Sequence, residues 1–192
     1  VSHAFWLHAV IAEVYDLNAF FLTAIVLLLL KWHKTPNNRS ILYGAAFLFG
    51  LGLTNHLILA LAIFGFFVFV AMTDGTVLRE FKVLILAFFS FLIGISLLIH
   101  LFLVKITTGG SAAAVADAAS GSHYKEAMFT FSLKIFKEFF LYLAYLFYQF
   151  PIVGFILGAI GTIAIFKDNR KKALLLLMLI IVNMAFFLAF GP

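Results

Sequence analysis

The sequence predicts an all-α polytopic membrane protein, with about six transmembrane helices and one amphipathic helix on the interface. Three observations carry that prediction. Of 192 residues, 65% are hydrophobic and 11% charged, against about 45–50% and about 25% in a soluble domain. The apolar residues form long runs between short polar clusters, as membrane-spanning helices do. The basic residues gather in three of those clusters, as cytoplasmic loops do. Too few polar side chains remain to cover a water-facing globule, which excludes a soluble enzyme. The apolar content also excludes a disordered chain. The net charge of +5 is accounted for by the loop clusters, so no nucleic-acid partner is expected. The chain contains no Cys, which removes disulfides, thiolate metal sites and cysteine nucleophiles.

The loop clusters order the spans. Lys31-Trp32-His33-Lys34 with Arg39 separates the first two apolar runs, Thr73-Asp74-Gly75 leads into Arg79, Glu80 and Lys82, and Lys167 to Lys172 forms the third cluster. Setting residues 31–40, 73–82 and 167–172 inside puts nine of the thirteen basic residues there, in keeping with the positive-inside rule. The expected spans are then Leu17–Leu30, Ile41–Leu53, Leu57–Met72, Val83–Val104, Pro151–Phe166 and Ala173–Phe190. Spans two and three are short: at about 1.5 Å per residue they reach only about 20–24 Å of a core about 30 Å thick. The polar turn Thr54-Asn55-His56 between them is expected at or below the outer surface. Residues 107–122, almost all Gly, Ala, Ser and Thr, read as a flexible outer loop. Residues 129–150 are long enough to span. Counting them so would push the Lys167 cluster outside, and Lys134, Lys137, Glu138 and Leu141 share one helical face, so a surface helix is expected. Gly154 and Gly158, with Gly161 beyond, form a small-xxx-small pattern that favours close packing on a neighbouring helix.

Polar residues at the outer ends of the first three spans are the candidate site. Glu13 and Asp16 stand three apart, on one helical face. Such a pair holds a divalent cation, and through it a donor phosphate, or else is a solvated helix start. Asn55 and His56 serve either in proton transfer and phosphate recognition or as a hairpin cap, Asn in the left-handed conformation and His satisfying carbonyls. Tyr15 and Asn18 read as site residues or as interhelical hydrogen bonders. His100 reads as a satisfied interfacial residue, and Asn183 as a mid-span residue bonding to a neighbouring helix. His3 and His8 lack the i, i+4 spacing of a helical metal pair. Trp6 and Trp32 suit opposite ends of an aromatic belt. Gly50-Leu51-Gly52-Leu53-Thr54-Asn55 has the glycines of a phosphate loop but no preceding strand.

Three stretches carry a resemblance. They are Ala12-Glu13-Val14-Tyr15 followed by Leu17-Asn18-Ala19-Phe20-Phe21 and a span ending in Lys31-Trp32; Gly50-Leu51-Gly52-Leu53-Thr54-Asn55-His56; and Gln149-Phe150-Pro151 opening a Gly-rich span that ends in a basic cluster. In this order and spacing the chain resembles the protein O-mannosyltransferase-like family of GT-C-type membrane glycosyltransferases. The resemblance covers about residues 1–104 and 146–192, while the Ala/Gly/Ser run stands where the family has a Pro- and Trp-bearing loop. It implies a GT-C-like fold and transfer of a sugar from a polyprenyl-phosphate donor to an acceptor protein or glycan, on the extracytoplasmic face of what would be a bacterial inner membrane. It implies substrate-binding roles for Glu13, Tyr15, Asn55 and His56; the Glu13–Asp16 spacing, apart from the resemblance, leaves that pair available to a divalent cation. In such enzymes the acidic residue that acts as general base lies in the first outer loop, so the resemblance implies that the base is upstream of Val1. The 192 residues are accordingly expected to be a single transmembrane domain and an internal piece of a longer protein, inactive alone. The other function class is a non-catalytic membrane protein: a transporter, a flippase-like lipid binder or a scaffold. Polar groups gathered at the outer boundary favour surface chemistry over a conduction path. Membrane lipids are partners in either case.

The topology is testable by single-Cys labelling in this Cys-free chain. An impermeant thiol reagent added outside intact cells should leave Cys at positions 38 and 169 unlabelled, and should reach Cys at 132 and 149. Outside labelling at 38 or 169 would invert or break the arrangement.

Overall fold

The computed structural model describes residues 14–111, 113, 134–150 and 152–189 of the chain. Among these residues every regular element is helical, as the apolar runs predict. The order is α1 (Val14–Lys34), α2 (Ser40–Asn55), a 3-10 turn (Leu57–Ala62), α3 (Ile63–Thr73), a second 3-10 turn (Gly75–Arg79), α4 (Phe81–Thr107), α5 (Lys134–Gln149), α6 (Ile152–Asp168) and α7 (Arg170–Ala189). Glu13, His3, His8, Trp6 and, of the expected outer loop 107–122, residues 112 and 114–122 lie outside the described residues.

The core grows from one stripe of α1. Phe21, Ile25, Leu29 and Trp32 recur at helical spacing, and all are buried. They meet Ile41, Leu42, Ala45 and Leu53 of α2, Phe66 and Phe69 of α3, and Leu175 and Leu179 of α7. Every buried residue described is apolar or glycine. The opposite pattern marks α4, where only Val83 and Gly94 are buried and Phe81, Phe88, Ile93 and Leu97 are exposed. A 27-residue helix with such a surface is stable only where that face meets an apolar medium.

Among the described residues, two helices can cross a membrane by length and composition, Tyr15–Lys34 and Phe81–Thr107, or three if the bent pair Phe139–Gln149 and Ile152–Asp168 counts as one. That is fewer than the six expected. The segments Ser40–Asn55 and Leu57–Thr73 are apolar but short. The second is longer than its residue count suggests, because it opens as a 3-10 turn. Six residues at about 2 Å and eleven at about 1.5 Å reach about 28 Å. The bent pair turns by 106°. The two helices thus stand nearly at right angles, as a surface helix feeding a span would. Apolar and polar residues are more sharply segregated on α5 than on any other described helix.

The closest helix crossing differs from the one the glycine pattern suggests. A Cβ on Gly158 or Gly161 would meet nothing among the described residues, and one on Gly154 only the side chain of Phe150, four residues earlier, at ordinary contact distance. The backbones that touch are those of α2 and α4, the most extensive helix contact in the structure. A Cβ on Gly50 would overlap the carbonyl oxygen of Phe91, and one on Gly94 that of Phe47. The GLGL stretch is therefore a packing surface inside a helix and not a phosphate loop. Gly65 of α3 faces the Leu179 side chain of α7, a looser contact with no backbone overlap.

All three basic clusters meet at one end of the bundle. Arg39 donates to the Pro36 carbonyl at 2.6 Å, to Asp74 at 2.7 Å, and to Glu80. The Pro36 carbonyl also accepts from Trp32 Nε1 at 2.9 Å. Trp32 is therefore not a belt residue: it is fully buried, its one N–H spent on the loop. His33 Nδ1 lies 3.1 Å from the Thr73 hydroxyl and its Nε2 3.0 Å from Asn169, which joins the third cluster to the other two. Asn169 also caps α7 by accepting from the Lys172 N–H. Asn183, expected to reach a neighbouring helix, bonds back to Leu179 O of its own helix at 2.8 Å.

Two expected outcomes follow from this packing. Gly94→Ala or Gly50→Ala should lower the unfolding temperature in detergent, by a cost of about 1–3 kcal/mol or more since the obstacle is backbone. Gly158→Ala should cost nothing. Equal loss at Gly158 would move the tight crossing there. The second outcome concerns acid. The Thr76 hydroxyl and the Arg39 guanidinium hold the Asp74 carboxyl below the usual carboxylate range. A folded pKa below the unfolded value of about 3.9 means that its contribution is full above about pH 5 and is lost as pH falls through the folded pKa. Thermal stability should fall below about pH 4, and Asp74→Asn should remove part of that fall. A parental acid limb in the variant would show that the clasp does not contribute.

Candidate functional site

The other end of the bundle holds the polar residues singled out in the sequence. The α1 stripe fixes where they stand. Asn18 lies three residues before buried Phe21 and continues the inward face of the helix beyond its apolar part, while Tyr15, three residues earlier, is half exposed at the helix end. The α1–α2 hairpin brings this end against the end of α2, where Gly52 admits the Phe21 ring.

His56 sits at the break between α2 and the 3-10 turn. Its backbone is extended, with φ −154° and ψ 125°. Asn55 is the last residue of α2, helical and not left-handed at the turn. The His56 ring does not satisfy carbonyls. Its Nδ1 accepts from the Ile58 N–H at 3.1 Å and caps the turn. A ring nitrogen that accepts from a backbone N–H holds a lone pair, so in the neutral imidazole the proton is on Nε2. His56 therefore presents an N–H donor without needing to be protonated. Its ring centroid lies 5.6 Å from that of Tyr15, tilted by 35°.

Asn18 adds a feature that sequence reasoning passed over. Its Oδ1 is buried and accepts no hydrogen bond among the described residues. An unpaired buried carbonyl costs about 1–3 kcal/mol, which a purely structural residue would avoid. The readable signal was its register, one turn beyond Phe21 on the buried stripe. The clasp at the far end was also missed as chemistry. Asp74 and Glu80 follow a loop read only for its positive charge, and their link to Arg39 spans 35 and 41 residues.

The structure thus brings Tyr15 and His56 together, with Asn55 adjacent in the chain and Asn18 one turn along α1. Asp16 is partly exposed in the first turn of α1, and Glu13 lies outside the described residues. Among the described residues no three His, Asp or Glu side chains gather as they would about a metal ion. His100 is exposed on α4. The arrangement supplies a neutral N–H donor and an aromatic hydroxyl at one mouth of the bundle. Both suit hydrogen bonding to phosphate or sugar oxygens.

Comparison with known proteins places this segment. Residues 1–80 match the family described as the protein O-mannosyl-transferase TMEM260 N-terminal domain. No curated protein and no solved structure matches the chain. The matched residues include Tyr15, Asn18, Asn55 and His56 and also the clasp from Trp32 to Glu80. With two helices among the described residues long and apolar enough to span, the match supports an integral membrane protein whose residues 1–80 are similar to a protein O-mannosyltransferase-like family.

Proposed function

We propose that the chain is part of a membrane glycosyltransferase that moves a sugar from a polyprenyl-phosphate donor to an acceptor protein or glycan on the extracytoplasmic face, in a bacterial inner membrane. In this reading the helices form a GT-C-like arrangement of about six spans with α5 on the surface. The clasp end is cytoplasmic and the Tyr15–His56 end faces outward. The observation that carries the reading is the apposition of Tyr15 and His56, with Nδ1 spent on the cap and Nε2 left as the donor. That donor suits the phosphate of a lipid-linked sugar, whose negative charge grows on the leaving oxygen as the glycosidic bond breaks. Glu13, Asn55 and His56 would then handle charge at the donor, with Glu13 and Asp16 sharing a divalent cation. The general base would lie upstream of Val1. The non-catalytic alternative loses its mid-span polar group, since Asn183 is satisfied within its own helix.

The experiment separates the cap from the donor. His56→Ala removes both and should cost about 1 kcal/mol of stability. His56→Asn can restore the cap, since Asn accepts at that position as well, but it lacks Nε2. In the full-length protein both variants, and Glu13→Gln, should reduce sugar transfer by about 10–100-fold, while His56→Asn keeps the parental unfolding temperature. Parental transfer in His56→Asn and Glu13→Gln would make these residues structural and send the search for the site elsewhere.

A further inference from the structure

A cavity lies away from this site, toward the clasp end. Its volume is about 530 Å³, within the range of about 300–1,000 Å³ typical of ligand pockets. Its walls are Ala45 and Phe49 of α2, Phe66 and Val70 of α3, and Ala87 and Phe91 of α4, among other side chains that are all apolar. Lining residues run from Leu42 to Phe49, from Ile63 to Val70 and from Leu84 to Phe91, each about 10 Å of helix. The cavity is therefore a slot along the helix axes. Its lateral edge is formed by Phe67 and Phe88, both more than half exposed, so it opens toward the bilayer.

One end of the slot is charged. Val77 and Leu78 line it on one side of the loop and Val83 and Leu84 on the other. Arg79 and Lys82 lie between them, both exposed. Neither makes an ion pair or hydrogen bond among the described residues. The intervening Glu80 is held by Arg39, which leaves the rim positive. A dry apolar slot about 10 Å long with two free cations at its rim has the layout of a lipid: a chain along the helices and a headgroup at the loop.

We propose that this cavity binds one anionic phospholipid from the leaflet at the clasp end, an acyl chain between α2, α3 and α4 and the phosphate against Arg79 and Lys82. Zwitterionic lipids would fill the slot but gain less at the rim. The site is separate from the outward-facing end, so its test does not depend on sugar transfer.

Native mass spectrometry of the detergent-solubilised chain, titrated with phosphatidylglycerol or phosphatidylcholine, measures the proposal. The expected result is one retained phosphatidylglycerol, with a preference over phosphatidylcholine that drops about fivefold for each of Arg79→Gln and Lys82→Gln. Ala87→Phe should fill the slot and reduce retention of both lipids. Ala46→Leu is a smaller filling should Ala87→Phe unfold, with the unfolding temperature as the control. Equal retention of the two lipids, or an unchanged preference in Arg79→Gln and Lys82→Gln, would overturn the proposal. So would full retention in folded Ala87→Phe or Ala46→Leu. Displacement of the lipid by glycerol phosphate alone would reduce the site to a phosphate contact and also overturn it.

Discussion

Arg39 is the residue on which the arrangement of the first four helices depends. It stands just before α2 and reaches the Pro36 carbonyl behind it and Asp74 and Glu80 ahead of it. The α1–α2 and α3–α4 connections are thereby tied at one point. Its side chain is largely shielded, so losing one partner would leave a poorly hydrated charge, far costlier than losing a surface ion pair. Trp32 shares the same Pro36 carbonyl, which couples the clasp to the base of the apolar stripe.

With that end tied, geometry decides the other. The α2–α4 crossing at Gly50 and Gly94 lets two backbones touch, and the Phe21 ring fits beside Gly52. These contacts set the height at which α2 ends. His56 falls at the break, Tyr15 meets it, and the cap on Ile58 orients the imidazole. Asn18 keeps an unsatisfied carbonyl in the same region. Polar groups that cost stability and converge at one mouth are the usual mark of a functional site. The apolar slot lies on the clasp side of the bundle, so the two candidate ligand positions are served by opposite ends of the same helices.

Much of this was legible in the sequence, because the signals are local. Hydropathy marked the helices, since in an apolar medium each segment must satisfy its own backbone. The basic clusters marked the loops that meet at one end. Tyr15 and His56 were readable as candidates because short apolar hairpins keep consecutive helices adjacent. The resemblance carried by residues 12–56 pointed to the family that residues 1–80 match.

Tertiary structure decided what depends on partners distant in sequence. A glycine's spacing shows that close packing is feasible but not which helix arrives, so Gly154 and Gly158 read like Gly50 and Gly94, while only the latter pair bears a crossing. Trp32 had the position of a belt residue until a carbonyl four residues away and the surrounding core claimed it. The tautomer of His56 rests on one N–H two residues on, which exists only because Leu57–Ala62 coils as a 3-10 turn. Composition along the chain determined that this protein is a bundle of membrane helices. The pairing of its faces, set by which side chains fit against which backbones, determined where its polar groups converge.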